Sequence, residues 1–422
     1  MNSFPQSILR GIRLWFEYET LRLPRVLLLS FLIFFVVQLY WLFSGWWDPI
    51  VYALHGEWFC GVGNYFEWLR PPLPGAVHCL AGAGGWAPFL SIMLASILYF
   101  IAVVWLYYHF SKKEKINSIS FSLFAFLFPT ILIHSNGGGD IFALAFLILS
   151  FLVPRPWMGG ALFGLATLSR YNYLFFLPIL FYHYRKSIVS FSISSIIVWV
   201  PWLWYNYSLT GNAFFSVDES FYLNVIQKGV FTIPDISVLF PLSVYFIILM
   251  TQHAHFQKEW KWTAIGIISF IMVLFSGIKE SRFLLPTIPS QTFLVSSTSA
   301  PHSRLMFGIL FVSLLVSGIG LVSFTFIPLH LPDLPALHDC RVMSDKWVNF
   351  YSQNIVAEPL PGKNDFELFL SQGAKLVVFD QSLVSPEVRT RFAVEETAFY
   401  VVLSSSDCEP QPESYVLKVW RG

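Results

Sequence analysis

Charge is scarce in this chain. Aspartate, glutamate, lysine and arginine make up 12% of its 422 residues, against roughly 25% in soluble globular domains. The acids and bases also nearly cancel, and the net charge is +1. There is therefore no broad basic surface for a nucleic-acid backbone. These two shortages exclude an ordinary soluble enzyme, a disordered protein and a nucleic-acid binder.

Motifs that bind nucleotides are missing as well. The sequence has no Walker loop, no G-x-G-x-x-G turn after a strand, and no DxD-type pair of acids after the first apolar run. A nucleotide substrate is therefore not expected. His55 and His78 have no metal-ligand spacing with other residues, so the residues by themselves predict no metal site.

Apolar residues, by contrast, are abundant. They form 55% of the chain, with 44 phenylalanines and 16 tryptophans, and the mean hydropathy is +0.61. Because a membrane-crossing helix needs about 20 apolar residues, the sequence predicts an all-α polytopic membrane protein with about eleven transmembrane helices. The predicted spans are 26–44, 87–109, 116–134, 140–153, 157–170, 172–184, 188–206, 236–251, 262–277, 283–298 and 305–327.

Basic residues between these spans predict the orientation, since short loops rich in Lys and Arg stay cytoplasmic. The basic clusters are Lys112/Lys113/Lys115, Arg155, Arg185/Lys186, Lys258/Lys261 and Arg304. With an odd number of crossings, the N-terminus is cytoplasmic and the C-terminus is extracytoplasmic. We therefore expect a multi-pass integral protein of the plasma membrane or the endoplasmic reticulum.

Three parts are predicted along the chain. Residues 1–25 form an amphipathic cytoplasmic leader. Residues 26–327 form the transmembrane domain, with a first outer loop at 45–86. Residues 328–422 form a small extracytoplasmic α/β domain. Its strand candidates are 374–380, 398–403 and 415–420.

All four cysteines fall on the predicted outer side: Cys60, Cys79, Cys340 and Cys408. Two disulfides, Cys60–Cys79 and Cys340–Cys408, would suit an oxidising compartment. Four cysteines allow three connectivities, and four unpaired thiols are the alternative.

Ionisable residues gather at the predicted outer helix ends. They are Asp48, Asp140, Arg170, Lys279, Glu280 and Arg282. Because charges are costly in hydrocarbon, their shared depth predicts that they converge on one site. The alternative is structural, with the aspartates capping helices and the arginines reaching lipid headgroups.

These residue types also suit a transfer reaction. Asp48, in Trp46-Trp47-Asp48-Pro49, could deprotonate an acceptor hydroxyl in a partly dry pocket. Asp140 follows three glycines, which let a ligand approach the backbone. Arg170 and Arg282 could each bind a phosphate bidentately.

Several short stretches follow one another along the chain in an order that is typical of a known family. They are Asp48, Arg70-Pro71-Pro72-Leu73, Gly164-Leu165-Ala166, Ser169-Arg170-Tyr171, Pro201-Trp202 through Asn206-Tyr207 to Thr210-Gly211-Asn212, and Ser281-Arg282-Phe283-Leu284-Leu285-Pro286. Their order and spacing over about residues 26–327 resemble the GT-C superfamily of membrane glycosyltransferases, in particular the dolichyl-phosphate-mannose-dependent mannosyltransferases. The C-terminal part has no counterpart in this resemblance.

The resemblance implies a hexosyltransferase with a polyprenyl-phosphate-linked (dolichyl) sugar donor. The acceptor would be a hydroxyl of a glycan, lipid or protein on the outer face, among membrane lipids. It implies Asp48 as general base, and Asp140 as a second acid that orients the acceptor or helps hold a metal. It assigns the donor phosphate to Arg282, Arg170 and Lys279, and support of the acceptor or the first loop to Glu57, Arg70 and His78. Since Asp48 has no paired acid, dependence on Mg²⁺ or Mn²⁺ stays open.

Three rival interpretations remain. A transporter or lipid flippase would have polar groups along a path to the cytoplasmic side. A non-catalytic scaffold would tolerate changes at Asp48, Asp140 and Arg282. A ligase of lipid-linked oligosaccharide lies in the same broad class as the single-sugar transferase.

Overall fold

The computed structural model describes most of the chain. The described residues are 24–43, 47–82, 86–134, 138–227, 236–251, 259–275, 281–297, 308, 311–313, 315–316, 339–351, 355–397, 399–405 and 407–417.

Helices dominate the first three quarters of the described chain, and all but one of the strands lie in the last quarter. The α-helices are α1 (Arg25–Phe43), α2 (Trp47–Phe59), α3 (Leu73–Leu80), α4 (Ala87–Ser111), α5 (Ser118–Leu127), α6 (Pro129–His134), α7 (Gly139–Leu152), α8 (Pro156–Ser169), α9 (Leu177–His183), α10 (Ile188–Thr210), α11 (Phe215–Phe221), α12 (Ile236–Thr251), α13 (Trp260–Phe275), α14 (Ile288–Ser296), α15 (Trp347–Phe350), α16 (Phe366–Ser371) and α17 (Pro386–Phe392). The strands are β1 (Tyr65–Glu67), β2 (Val342–Ser344), β3 (Ala357–Pro359), β4 (Lys375–Val378), β5 (Ala393–Glu396), β6 (Val401–Leu403) and β7 (Tyr415–Leu417). Two 3₁₀ helices, Tyr171–Phe176 and Ser281–Thr287, also matter below.

The chain forms two compact units. The first consists of Met1–Trp41, Leu69–Leu73 and Ser91–Phe326, and the second of Leu42–Trp68, Pro74–Leu90 and Ile327–Gly422. Most of the segment expected to be the first outer loop, 45–86, therefore belongs to the same unit as the C-terminal part.

The prediction of about eleven transmembrane helices is wrong. Among the described residues, two helices are long and apolar enough to cross a membrane, α4 and α10. Five further apolar helical stretches run for only 10–17 residues. The 14 residues of α7 cover about 21 Å at about 1.5 Å per residue, well short of a hydrocarbon core of about 30 Å.

Burial explains why these short runs are so apolar. Nearly every residue of α7 is buried, and a helix that is apolar all round can be the core of a large unit as well as a membrane span. The predicted multi-pass location, with the chain ends on opposite sides, is wrong for the same reason. At most two described helices qualify as spans, and α10 has 17% of its apolar window buried.

Close helix packing organises the first unit. α8 begins with a proline in its first turn, a favoured position because the missing N–H would be unpaired there anyway. A Cβ at Gly160 would overlap the Phe191 carbonyl oxygen, and one at Gly164 would come within 3.0 Å of the Ser195 carbonyl oxygen. Glycine at these two positions therefore lets α8 lie directly against the backbone of α10.

A mixed sheet forms the centre of the C-terminal part, as the α/β prediction for this region expects. Its strand order is β3-β2-β4-β6-β5. β2 pairs in parallel with β3 and β4, whereas β6 pairs antiparallel with β4 and β5. β2, β4 and β6 are buried over nearly their full length, which suits central strands covered on both faces. β4, β6 and β7 lie within the three stretches predicted as strands.

The segment 47–82 packs into this same unit. β1 pairs in parallel with β7, and Val51 and Leu54 of α2 share one apolar cluster with Val348 and Val356. The disulfide Cys60–Cys79 joins α2 to the end of α3, and Cys340–Cys408 closes a second loop. Contacts far apart in sequence thus fix this region, which explains why a local pattern suggested only a loop.

Candidate functional site

One end of the first unit carries a cluster of polar residues, most of which are hydrogen-bonded to one another. We call it the polar end and define it by Arg70, Asp140, Arg170, Tyr171, Tyr173, Trp202, Asn206 and Ser216. α7 starts here and α8 ends here, because the two helices are joined by a short connection and lie antiparallel. Segments up to 146 residues apart in the chain meet at this end.

A buried ion pair lies at its centre. Arg170 Nη2 donates to Asp140 Oδ2 at 2.6 Å, and the two residues are 9% and 5% exposed. Asp140 lies in the first turn of α7 and Arg170 is the C-cap residue of α8. The helix dipoles favour an anion at the first position and a cation at the second, so the local structure stabilises both charges.

A second set of hydrogen bonds extends from Tyr171. Its hydroxyl accepts from Trp202 Nε1 at 2.8 Å and shares a 2.6 Å hydrogen bond with the Ser216 hydroxyl. The Ser216 N–H donates to Asn206 Oδ1 at 2.9 Å, and its hydroxyl lies 3.5 Å from the Arg70 carbonyl oxygen. Three stretches on which the glycosyltransferase resemblance rests, 70–73, 169–171 and 201–212, therefore meet at the polar end.

Tyr173 adds a buried phenol beside the ion pair. Its side chain is 2% exposed, and among the described residues its hydroxyl has no hydrogen-bond partner. Burial raises the pKa of Tyr173 well above its usual value, and the nearby Asp140 carboxylate raises it further, against the opposing effect of Arg170. The phenol therefore keeps its proton and can donate a hydrogen bond.

Arg282 is half-buried near the start of the 3₁₀ helix Ser281–Thr287. That helix follows α13 and packs against α6, α7 and α13. Arg282 therefore belongs to the same unit as Asp140 and Arg170. Lys279 and Glu280, which the sequence also assigned to this site, lie outside the described residues.

Asp48 belongs to the second unit. It lies in the first turn of α2 and is 5% exposed. A carboxylate at a helix N-terminus is stabilised by the helix dipole, so the structural role proposed for Asp48 and its role as a base both fit this position. Glu57, farther along α2, is half-buried, and burial raises its pKa.

His78 is held inside a tight helix pair in the second unit. A Cβ at Gly75 would lie 2.7 Å from His55 Cβ, so α2 and α3 touch. His78 Nδ1 donates to the Tyr52 carbonyl at 3.1 Å, while its Nε2 is buried without a partner in the described chain. Burial lowers the pKa of His78 to about 4, which makes it a neutral packing residue at neutral pH. In the same unit, His55 Nε2 accepts from the Glu67 N–H at 3.0 Å.

Sequence reasoning missed two residues of the polar end. Tyr173 and Ser216 are each at most 2% exposed, yet neither was selected. Tyr173 and Ser216 carry no distinguishing pattern, because their roles arise from neighbours far away in the chain.

Metal ligands are not assembled in the part of the chain that the structure describes. No group of three or more His, Cys, Asp or Glu residues there could hold a metal ion. The polar end is instead an ion pair surrounded by hydroxyl, amide and indole groups, a set suited to binding hydroxyls and phosphates.

Comparison of the chain with protein-family models, curated proteins and solved structures finds no match. The resemblance to membrane glycosyltransferases therefore rests on the residues themselves.

Proposed function

We propose that this protein is a glycosyltransferase that moves a hexose, such as mannose, from a polyprenyl-phosphate-linked donor to an acceptor hydroxyl at a membrane surface. The observation that carries the proposal is the meeting of Arg70, Asp140-Arg170, Trp202-Asn206 and Ser216 at the polar end. These segments are distant in sequence and lie in a unit that is otherwise strongly apolar.

A lipid-linked donor suits the surface of the same unit. α4 exposes Ile97, Ile101 and Trp105, and α10 exposes Ile193, Ile197 and Val200, each by more than 40%. Such apolar faces are favourable against acyl or polyprenyl chains and costly against water. A donor with a long hydrocarbon tail and a charged phosphate would match an apolar helix surface that ends in a polar group.

In the proposed reaction, the acceptor oxygen attacks the anomeric carbon and forms a new C–O bond. The bond from that carbon to the phosphate oxygen breaks, and polyprenyl phosphate leaves with the electron pair, with inversion of the sugar. A carboxylate takes the acceptor proton, and the family resemblance gives this role to Asp48. Arg282 is the proposed phosphate ligand, with Arg170 as the second. Positive groups stabilise charge developing on the leaving phosphate, which is commonly the largest catalytic contribution.

Asp140 has a different proposed role. Its carboxylate is bound to Arg170 at 2.6 Å, and an opposite charge at this distance favours the ionised form of a carboxyl. We therefore assign Asp140 to orienting Arg170, and through it the donor, and we assign proton removal to Asp48.

The test uses the purified full-length chain in lipid–detergent micelles with radiolabelled polyprenyl-phosphate mannose or glucose and a membrane extract as the acceptor source. Wild type is compared with Asp48→Asn and with Asp365→Asn, a matched change at an exposed aspartate of the second unit. We expect Asp48→Asn to lose at least about a hundredfold in transfer, as for removal of a general base, with Asp365→Asn unaffected.

The outcomes separate the alternatives. Full transfer by Asp48→Asn would keep the enzyme and discard the base, and Asp140→Asn would then be measured next. If folded wild type transferred no label from any polyprenyl-phosphate sugar, the transferase proposal would fail. If the same protein reconstituted into vesicles moved label across the membrane without sugar transfer, a transporter or flippase would be favoured.

A further inference from the structure

The opposite end of the first unit brings basic connecting segments together. Lys113, after α4, pairs with Glu259, just before α13. Lys261 Nζ lies 2.6 Å from His183 Nδ1 at the end of α9. Tyr184, after α9, donates to the Val153 carbonyl between α7 and α8 at 3.1 Å. We call this surface, formed by residues 112–117, 153–157, 182–188 and 259–261, the basic end.

Its charge differs sharply from that of the whole chain. The basic end holds seven bases, Lys112, Lys113, Lys115, Arg155, Arg185, Lys186 and Lys261, and two acids, Glu114 and Glu259. Seven positive and two negative charges leave +5, whereas the complete chain carries +1. Both acids are engaged locally, Glu259 by Lys113 and Glu114 by the Ser297 hydroxyl at 2.6 Å. Lys112, Arg155, Arg185 and Lys186 are exposed.

Exposed aromatic side chains surround these charges. Trp157, Tyr182 and Trp260 are 51%, 54% and 39% exposed. Tyr182 and Trp260 contact each other edge to face at 5.1 Å, and the Arg185 guanidinium lies 4.8 Å from the Tyr182 ring centre. Tryptophan and tyrosine concentrate where hydrocarbon meets headgroups, because their rings are apolar and their N–H or O–H groups are polar.

The apolar faces of α4 and α10 continue directly from this end. Tyr108, in the last turn of α4, and Ile188 and Val189, in the first turn of α10, are exposed. A soluble polyanion, a nucleic acid or an acidic protein would satisfy the positive charge but would leave these apolar faces against water. A lipid layer satisfies both.

We propose that the basic end binds the headgroups of anionic phospholipids, with Trp157, Tyr182 and Trp260 at the boundary between headgroups and acyl chains. Lys112, Arg155, Arg185 and Lys186 contact the lipid phosphates. Lys113 and Lys261 instead hold the segments together through Glu259 and His183. This binding surface does not depend on the proposed transfer reaction, and it can be tested without any sugar donor.

The test measures the stability of the purified full-length chain in neutral detergent micelles that contain dioleoyl-phosphatidylglycerol, dioleoyl-phosphatidylcholine or inorganic phosphate. A ligand that binds the folded state raises the melting temperature with its concentration, so the concentration dependence gives an apparent affinity. Wild type is compared with Lys112→Gln/Arg155→Gln/Lys186→Gln. The matched control is Lys346→Gln/Lys363→Gln/Arg391→Gln, which removes the same three charges from exposed positions of the second unit.

We expect phosphatidylglycerol to stabilise wild type more than phosphatidylcholine does, and inorganic phosphate to have little effect. Each basic residue near an anionic surface contributes to the free energy of binding. The loss of three such contributions weakens binding on the order of a hundredfold. The first triple variant should show this loss, and the control should keep wild-type affinity. Equal affinities for all three proteins, or equal stabilisation by inorganic phosphate, would overturn the proposal.

Discussion

Removing either partner of the Asp140–Arg170 ion pair should strongly destabilise the first unit. The charges are 2.6 Å apart at Nη2 and Oδ2, and neither residue is more than 9% exposed. At an effective dielectric constant of about 20, their attraction is on the order of 5 kcal/mol, and desolvation of the two groups offsets much of it. Removing one partner leaves the other charge buried and unpaired, so its desolvation cost is no longer offset.

We expect Arg170→Met and Asp140→Asn each to lower the free energy of unfolding by about 3–5 kcal/mol. The double variant should lose much less than the sum, because it buries no unpaired charge. In a unit of this size, such a loss lowers the melting temperature by roughly 10 °C. The assay is reversible unfolding in detergent followed by tryptophan fluorescence, with all four proteins of the double-mutant cycle measured together.

The control pair is Arg391 and Glu367, whose side chains are 67% and 55% exposed. Exposed ion pairs contribute about 0–1 kcal/mol, so Arg391→Met and Glu367→Gln should change little. If the Asp140 and Arg170 variants lost no more than this control pair, or if their effects simply added, the ion pair would be solvated. The reasoning that makes it the centre of the polar end would then be wrong.

Two further predictions concern packing and pH. Gly160→Ala should lower the free energy of unfolding by about 1–3 kcal/mol through overpacking against Phe191, although alanine favours helices. Gly308→Ala, where a Cβ meets nothing within 4 Å, is the control, and equal melting temperatures for both variants would contradict the close packing. The pKa of His78 falls from 6.5 to about 4 on folding, so the unfolded chain binds the extra proton and stability should drop by up to about 3 kcal/mol as pH falls through that window. In His78→Gln, this drop in the free energy of unfolding between pH 6.5 and 4 should be absent. If the variant kept the wild-type pH profile, the assignment of the drop to His78 would be wrong.

Local sequence patterns predicted several elements well, and the reason differs from one to another. Asp140 and Arg170 were selected because charges stand out in apolar sequence, and the structure brings these two together. The predicted strands at 374–380 and 398–403 are found in the structure. Such strands can be recognised from the local sequence, because they are short runs rich in β-branched and aromatic residues. Tyr173 and Ser216 could not be selected, because a single hydroxyl becomes notable only through what surrounds it.

The sequence alone determined that most side chains of this protein would be removed from contact with water. Apolar composition sets the free-energy cost of that contact, and the cost is the same whether lipid or protein takes the place of the water. It also determined which segments carry charge, because the basic residues are clustered between the apolar runs. Only the tertiary structure decided whether lipid or other protein would cover each helix. α7 is enclosed by its neighbours while α10 stays largely exposed, a difference that hydropathy cannot register because both environments are apolar.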